Sequence, residues 1–345
     1  MLDGIAQLKQ AIDEEDLGRV TALMTNDPAL HRAPLGYKRN GPLTWVAECR
    51  GPASPPRAAR LAIAAWMLEN GSDVHQGGDG PLMRAALNGQ RIAMMELLLA
   101  HGADVNALWD GRYPILFAPC ETVDPIALKW LLDHGANPNP ANRETALDYL
   151  LGTYVRSPRF APCIEILLHG GSITRHDVPV VLELLRGRLD RVAALLDADS
   201  ALLQRQFPDL DIGATGGRRL TLKGATLLHV AAEFGNVEAA QLLLDRGADL
   251  NARALVDDAG IGGQTPLFHA VTQFGDHGMA MARVLLDRGA DLKIRARLPG
   301  HYERPTEVVE CTLLEYACLF PEGNQNPAIN LLRERGRWGD IKRWQ

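Results

Sequence analysis

The sequence predicts an all-α solenoid of about eight or nine stacked helix-pair units, with extended β-hairpin arms in the C-terminal half. Three observations predict it. A helix–turn–helix pattern closed by glycine recurs along the chain. Apolar residues inside each copy fall at three- and four-residue spacing, and three joins near the C-terminus are far longer than the rest.

The clearest copy is Gly224 to Asn251, G-A-T-L-L-H-V-A-A-E-F-G-N-V-E-A-A-Q-L-L-L-D-R-G-A-D-L-N. Thr226 is placed to cap a short helix by accepting from its first free amides. Leu228, Ala231 and Ala232 give that helix a narrow apolar face, and Gly235 ends it because glycine adopts the left-handed conformation at least cost. Val237, Ala240, Leu243 and Leu244 mark a second helix, which Gly247 stops. Two such helices share one apolar side and cannot form a core without a neighbouring copy.

Copies follow at Gly263 to Leu292, with Pro266 at a first helical position, and at Gly80 to Asn106. The T-P-L-H-x-A-A start, the L-L-L second helix and the G-A-D/N stop occur in order and repeatedly, and the pattern resembles the ankyrin repeat. Closing glycines stand at Gly71, Gly102, Gly135, Gly171, Gly247, Gly289 and Gly336, at intervals of 31, 33, 36, 76, 42 and 47 residues. Against a family period of about 33, the interval of 76 holds two units and the last two are stretched.

Residues 1–39 read as a variant N-terminal capping unit, with Ile5, Leu8 and Ile12 on one stripe and Val20, Leu23 and Met24 on the next. Residues 40–206 hold near-standard and degenerate units. In the second, Pro52 to Pro56 lengthens the link between helices, and Ser157-Pro158 does the same in the fifth. The sixth, Pro179 to Leu203, keeps two amphipathic helices but loses the standard stop. Residues 207–336 carry the long arms and a C-terminal cap, and 337–345 form a basic tail with Trp338 and Trp344. Trp45 and Trp66 are expected in core or inter-unit packing.

A formal net charge of −6 offers no general attraction to nucleic acid or an anionic membrane, so neither is expected as a partner. No apolar run approaches the ~18 residues of a membrane span. Met1 to Gln10 lacks a basic start and apolar core, and the five cysteines are scattered. A reduced cytoplasmic location is the expectation, and the sequence does not decide whether the protein is delivered to another cell. Abundant alanine and arginine in excess of lysine point to a bacterial source. A monomer is expected.

The long connections, about Leu203 to Ala225, Ala252 to Gln264 and Lys293 to Cys311, are where function is sought, since joins beyond ~12–15 residues are usually functional or disordered. The first alternates like a hairpin on either side of Gly213 to Gly217, and the third turns at Pro299-Gly300. Their apolar content favours ordered arms that together wall the concave groove. Arg218, Arg219, Arg253, Arg295, Arg297 and Arg304 alternate with Asp209, Asp211, Asp257, Asp258, Glu303, Glu307 and Glu310. These charges either pair across neighbouring arms or present guanidinium forks to an acidic partner.

His229 stands at the histidine of the repeat pattern, where the resemblance implies a structural role tying backbone loops together. His269 falls one position later, and His277 and His301 are in loops. No ligand spacing joins them, so no metal and no cofactor is predicted. His101, His134 and His169 precede closing glycines, where they meet helix C-termini. Cys311 with His301, and His269 with Asp257, are candidate catalytic pairs, but nothing in the sequence brings them together. No catalytic residue is assigned and a non-catalytic role is favoured.

The resemblance implies that a protein partner is gripped by arm tips and by exposed positions at the end of the inner helix. In this sequence those positions are Glu48 and Cys49, Leu87 and Asn88, Glu233 and Phe234, and Thr272 and Gln273. The expected partner-binding set is Trp109, Arg112, Tyr113, Arg218, Arg219, Glu233, Phe234, Asp257, Asp258, His269, Gln273, Arg295, Arg297, His301 and Tyr302, with the groove and arms of the last three units as the principal surface. The alternative is a small-ligand or enzymatic site enclosed by the three arms.

Overall fold

Short polar side chains start the helices and glycines stop them. Asp3, Asp16, Asp124, Asn236 and Thr312 each accept a hydrogen bond from an amide of the first helical turn. Gly71, Gly102, Gly135, Gly171, Gly247 and Gly289 all take φ between 81° and 112°, and a Cβ at any of them would meet nothing within 4 Å. The demand for glycine there is therefore conformational, not steric crowding. Gly336 is instead the last residue of its helix. His101, His134 and His169 each place Nδ1 2.7–2.9 Å from the carbonyl four residues back, donating to an acceptor in the last turn of the helix.

The computed structural model describes residues 3–48, 55–213, 220–273, 276–300, 304, 306–319 and 327–336. Two bodies emerge: Met1–Leu150 with Pro162–Ile173, and Leu151–Ala161 with Thr174–Gln345. The chain holds the helices α1 (Gly4–Asp13), α2 (Leu17–Asn26), α3 (Pro42–Glu48), α4 (Ala58–Glu69), α5 (Gln76–Ala86), α6 (Ile92–Ala100), α7 (Phe117–Thr122), α8 (Pro125–Asp133), α9 (Ala146–Gly152) and α10 (Phe160–His169). They continue with α11 (Pro179–Leu185), α12 (Leu189–Ala198), α13 (Leu227–Glu233), α14 (Val237–Asp245), α15 (Pro266–Val271), α16 (Met279–Asp287), α17 (Leu313–Ala317) and α18 (Pro327–Gly336). Among the described residues these make nine consecutive pairs, the upper figure of the expectation.

Within each body, first helices stack on first helices and second on second. In the first, α3 packs on α5 and α5 on α7, while α2 packs on α4 and α4 on α6. In the second, α11, α13, α15 and α17 form one row and α12, α14, α16 and α18 the other. The cores are the buried stripes read from the sequence: Leu8, Ile12, Val20 and Met24 in the first unit, and Leu228, Ala231, Ala232, Ala240 and Leu243 in the seventh. Side-chain amides stitch successive turns together. Asn106 donates to the Gly135 carbonyl and accepts from the Asn137 amide, and Asn139 repeats this with Gly171 and Ile173. In the second body Gln204 does the same with Gly247 and Asp249. Trp45 is half-buried, donating to Asp13 at 2.7 Å, and Trp66 stacks on His31.

Two short hairpins complete the fold: β1 (Leu108–Trp109) with β2 (Tyr113–Pro114), and β3 (Arg295–Pro299) with β4 (Val308–Thr312), both antiparallel. The third arm is thus a hairpin, with Arg295 opposite Thr312 and Pro299 opposite Val308. Among its described residues the first arm, expected as a long hairpin, is bridged at its base, Phe207 with Ala225, while 214–219 lie outside them. Leu210, Ile212, Leu220 and Leu222 on its flanks are buried. No described helix is long and apolar enough to cross a membrane.

Candidate functional site

The seventh unit organises the second body. Thr226 caps α13, and His229, three residues on, accepts the Thr226 amide at 3.1 Å through Nδ1. With Nδ1 an acceptor, Nε2 carries the proton and donates to the Gln264 carbonyl at 3.0 Å, joining the helix to the foot of the next arm. The ring is fully buried, and that burial, with His269 adding to it, pushes its pKa down to about 3. His229 is a neutral structural tie, as its place in the repeat implies.

The arms bond sideways into one layer. Leu255 donates its amide to the Gly224 carbonyl at 3.0 Å, and Gln264 reaches the Thr221 carbonyl at 3.1 Å, joining the first arm to the second. Gly262 and Arg297 exchange both backbone bonds, at 2.8 and 3.1 Å, joining the second to the third. The second arm turns on Asp257, whose carboxylate accepts from the amides of Ala259 and Ile261. Gly224 is required at this junction: a Cβ there would stand 2.4 Å from that of Leu255. A cleft of about 560 Å³ opens among the arms, lined by Leu220, Lys223, Leu255, Val256, Asp257, Asp258 and Leu298. Leu255 and Val256 are 43% and 55% exposed, unusual for large apolar side chains on an ordered arm.

On the inner face, Glu233 is 1% exposed, where an accessible helix end was expected. Its carboxylate lies 2.5 Å from Arg156 and 2.8 Å from His269 Nδ1, and its carbonyl accepts from Arg156 and Gln273. Arg156 comes from the loop between α9 and α10, read from the sequence as a mere lengthened turn. Its guanidinium also donates to the carbonyls of Thr153 and Gly213 and lies 4.5 Å over the Phe234 ring, which in turn meets Phe160 at 4.9 Å. Glu233, His269 and Gln273 are therefore corrected from surface contacts to members of a buried network, in which Glu233 bonds Arg156, His269 and Gln273. Phe234 is half-buried, against Arg156 and Phe160. Beside this network lies a cleft of about 590 Å³.

Of the other expected residues, Asp257 and Asp258 are exposed on the second arm. Arg295 pairs with Glu310 and Glu315 at 3.7 and 3.1 Å, so this arginine serves its own arm. Arg297 is exposed and makes no ion pair among the described residues. In the first body, Trp109 is 8% exposed, stacked on Tyr37 and tilted against Tyr113, whereas Arg112 is exposed and Tyr113 is 42% exposed. Arg218, Arg219, His301, Tyr302, Cys49 and the basic tail 337–345 lie outside the described residues. Sequence reading missed Arg156, Tyr37, Leu255 and Val256.

Of the two candidate catalytic pairs, His269 with Asp257 is not assembled, and His301 of the other lies outside the described residues. His269 is bound to Glu233, not Asp257. Burial, with Glu315 adding to it, pushes the Cys311 thiol up to about 12, so it stays protonated. Among the described residues, no group of three His, Cys, Asp or Glu side chains is placed to hold a metal ion.

Family comparisons agree with the architecture. Residues 184–296 match a model described as ankyrin repeats in three copies, and residues 77–109 match a single ankyrin repeat. Among solved structures, the chain is similar to the crystal structure of the human ASB11 ankyrin repeat domain, at 22% identity and a TM-score of 0.34, over 76% of this chain and 99% of that one. A comparison with curated proteins finds no match. The repeats matched in both bodies, together with the stacked helix pairs and glycine stops already described, make this chain an ankyrin repeat protein.

Proposed function

We propose that the chain is a non-catalytic protein-recognition module whose principal surface is the arm layer of the last three units. Ankyrin repeats are generally protein–protein interaction modules. The observation that carries the finer reading is the exposure of Leu255 and Val256 beside the cleft between hydrogen-bonded arms. Burying such side chains against a partner removes apolar area from water at about 25 cal/mol per Å², and the backbone bonds beneath them mean that little ordering entropy opposes it. Asp257, Asp258 and Arg297 border the patch with charge suited to orienting a partner. The inner helix ends contribute less than the resemblance implies, since Arg156 already fills the space over Glu233.

The test is affinity capture with the wild-type chain, followed by titration of the captured partner against Leu255→Glu and Val256→Glu. Both positions are exposed, so folding is expected to survive, and each substitution is expected to weaken binding at least tenfold, about 1.4 kcal/mol. Unchanged affinity in both variants removes the arm layer from the reading.

A further inference from the structure

The first body carries a second surface, built from different residues. The three-residue loop between β1 and β2 turns through Asp110 and Gly111, both at positive φ, and sets Trp109 beside Tyr113. Tyr37 is held against them by its amide, which donates to the buried Glu48 carboxylate at 3.0 Å. Ring centroids are 5.7 Å apart for Tyr37 and Trp109 and 5.8 Å for Trp109 and Tyr113. Across a cleft of about 500 Å³ stands the Phe117–Tyr149 pair at 4.2 Å. Tyr37 and Tyr113 remain 40% and 42% exposed, so these rings are not closed into a core.

The surface around the cleft carries more bases than acids: Lys38 and Arg84 line it with Glu121, Arg39 and Arg112 are exposed nearby, and Asp110 lies 3.0 Å from Lys38 with both side chains about half exposed. Such an exposed pair is worth ~0–1 kcal/mol, so a partner carboxylate can take the place of Asp110 with little loss. Lys38 and Arg84 already cover faces of Trp109 and Tyr37, at 4.5 and 4.7 Å, which disfavours an incoming cation.

We propose that this aromatic cleft docks a proline-rich segment of another protein, flanked by acidic residues. A polyproline helix leaves its carbonyls free of internal hydrogen bonds and is already ordered, and its rings lie flat on aromatic faces while tyrosine hydroxyls reach its carbonyls. Acidic flanks meet Lys38, Arg39 and Arg112. The proposal rests on the chain being a protein-recognition module but not on the arm layer, because every residue it uses lies in the first body.

The experiment is fluorescence polarisation of a labelled proline hexamer with glutamate flanks, titrated with the full chain. Saturable binding is expected, weakened at least tenfold by Tyr37→Ala with Tyr113→Ala, and unchanged by Ile173→Ser, an exposed position outside the cleft. Lysine flanks are expected to weaken it about tenfold, and an alanine hexamer with glutamate flanks is expected not to bind. A second variant, Lys38→Glu with Arg112→Glu, changes only exposed side chains and is expected to reverse the flank preference. Absence of saturable binding at millimolar chain, equal binding by the tyrosine double variant, or indifference to flank charge overturns the proposal. None of these results bears on the Leu255 and Val256 titration, so the two readings fail separately.

Discussion

Arg156 and Glu233, 77 positions apart in the chain, form an ion pair at 2.5 Å with side chains only 7% and 1% exposed. The guanidinium is further bonded to three backbone carbonyls besides that of Glu233 itself: Thr153, Val155 and Gly213. The first body has a counterpart at the same repeat position, where Glu48 lies 3.0 Å from Arg84. A buried pair adds little over an apolar substitute, but breaking it strands a charge.

Arg156→Ala is accordingly expected to destabilise the second body by about 3–5 kcal/mol in urea unfolding, because the Glu233 carboxylate loses its main cation. Arg156→Ala combined with Glu233→Gln should recover part of that loss. A loss below about 1 kcal/mol for the single variant contradicts the reading of this pair as the anchor of the loop.

Acid should weaken the fold through His229. In the unfolded chain its imidazole protonates near pH 6.5, whereas the folded site holds it neutral down to about 3, so the unfolded state binds more protons between those values. Stability is then fully present above pH 6.5 and falls as pH drops, by at most ~1.4 kcal/mol per pH unit from this group. Urea midpoints between pH 7 and pH 5 measure the slope, and His229→Gln should flatten it. An equal slope in the variant would falsify the assignment.

Two glycines separate conformational strain from crowding. Gly247→Ala is expected to lose about 1–2 kcal/mol, since φ is 91° and the new methyl meets nothing. Gly224→Ala should lose more, because φ is 71° and the methyl collides with Leu255. Equal losses by thermal or urea unfolding would contradict the close approach of the first two arms.

Charge reversal distinguishes the two arm arginines. Arg295→Glu sets a third carboxylate beside Glu310 and Glu315 and is expected to lower stability by about 1 kcal/mol. Arg297→Glu, which breaks no ion pair among the described residues, should change stability by less than about 0.5 kcal/mol while altering the association rate of a partner. A stability loss confined to Arg297→Glu reverses these roles.

The helix pairs were legible in the sequence because each is specified locally: Thr226 and His229 are three residues apart, and Gly247 stops its helix by its own φ. The third arm was legible for a similar reason, since its two strands are neighbours in sequence, although Pro299, expected at the turn, lies within β3 opposite Val308. The site was less so. Arg156 sits in a loop with no periodicity, and nothing local marks Glu233 as its partner or as buried. Tyr37 stands outside every repeat signature, held in place by Glu48 and by Trp109 on other units. Long-range pairing of this kind leaves only one weak trace, a glutamate at the same repeat position in the second and seventh units.

Hydrogen exchange of the chain, free and bound to its captured partner, tests the arm-layer reading most directly. The account predicts that binding slows exchange at Ala254 to Gln264 and around Leu298, and leaves the amides of Glu233 and Gln273 unchanged. Protection centred on Glu233, Phe234 and Gln273, with the second arm unaffected, contradicts it.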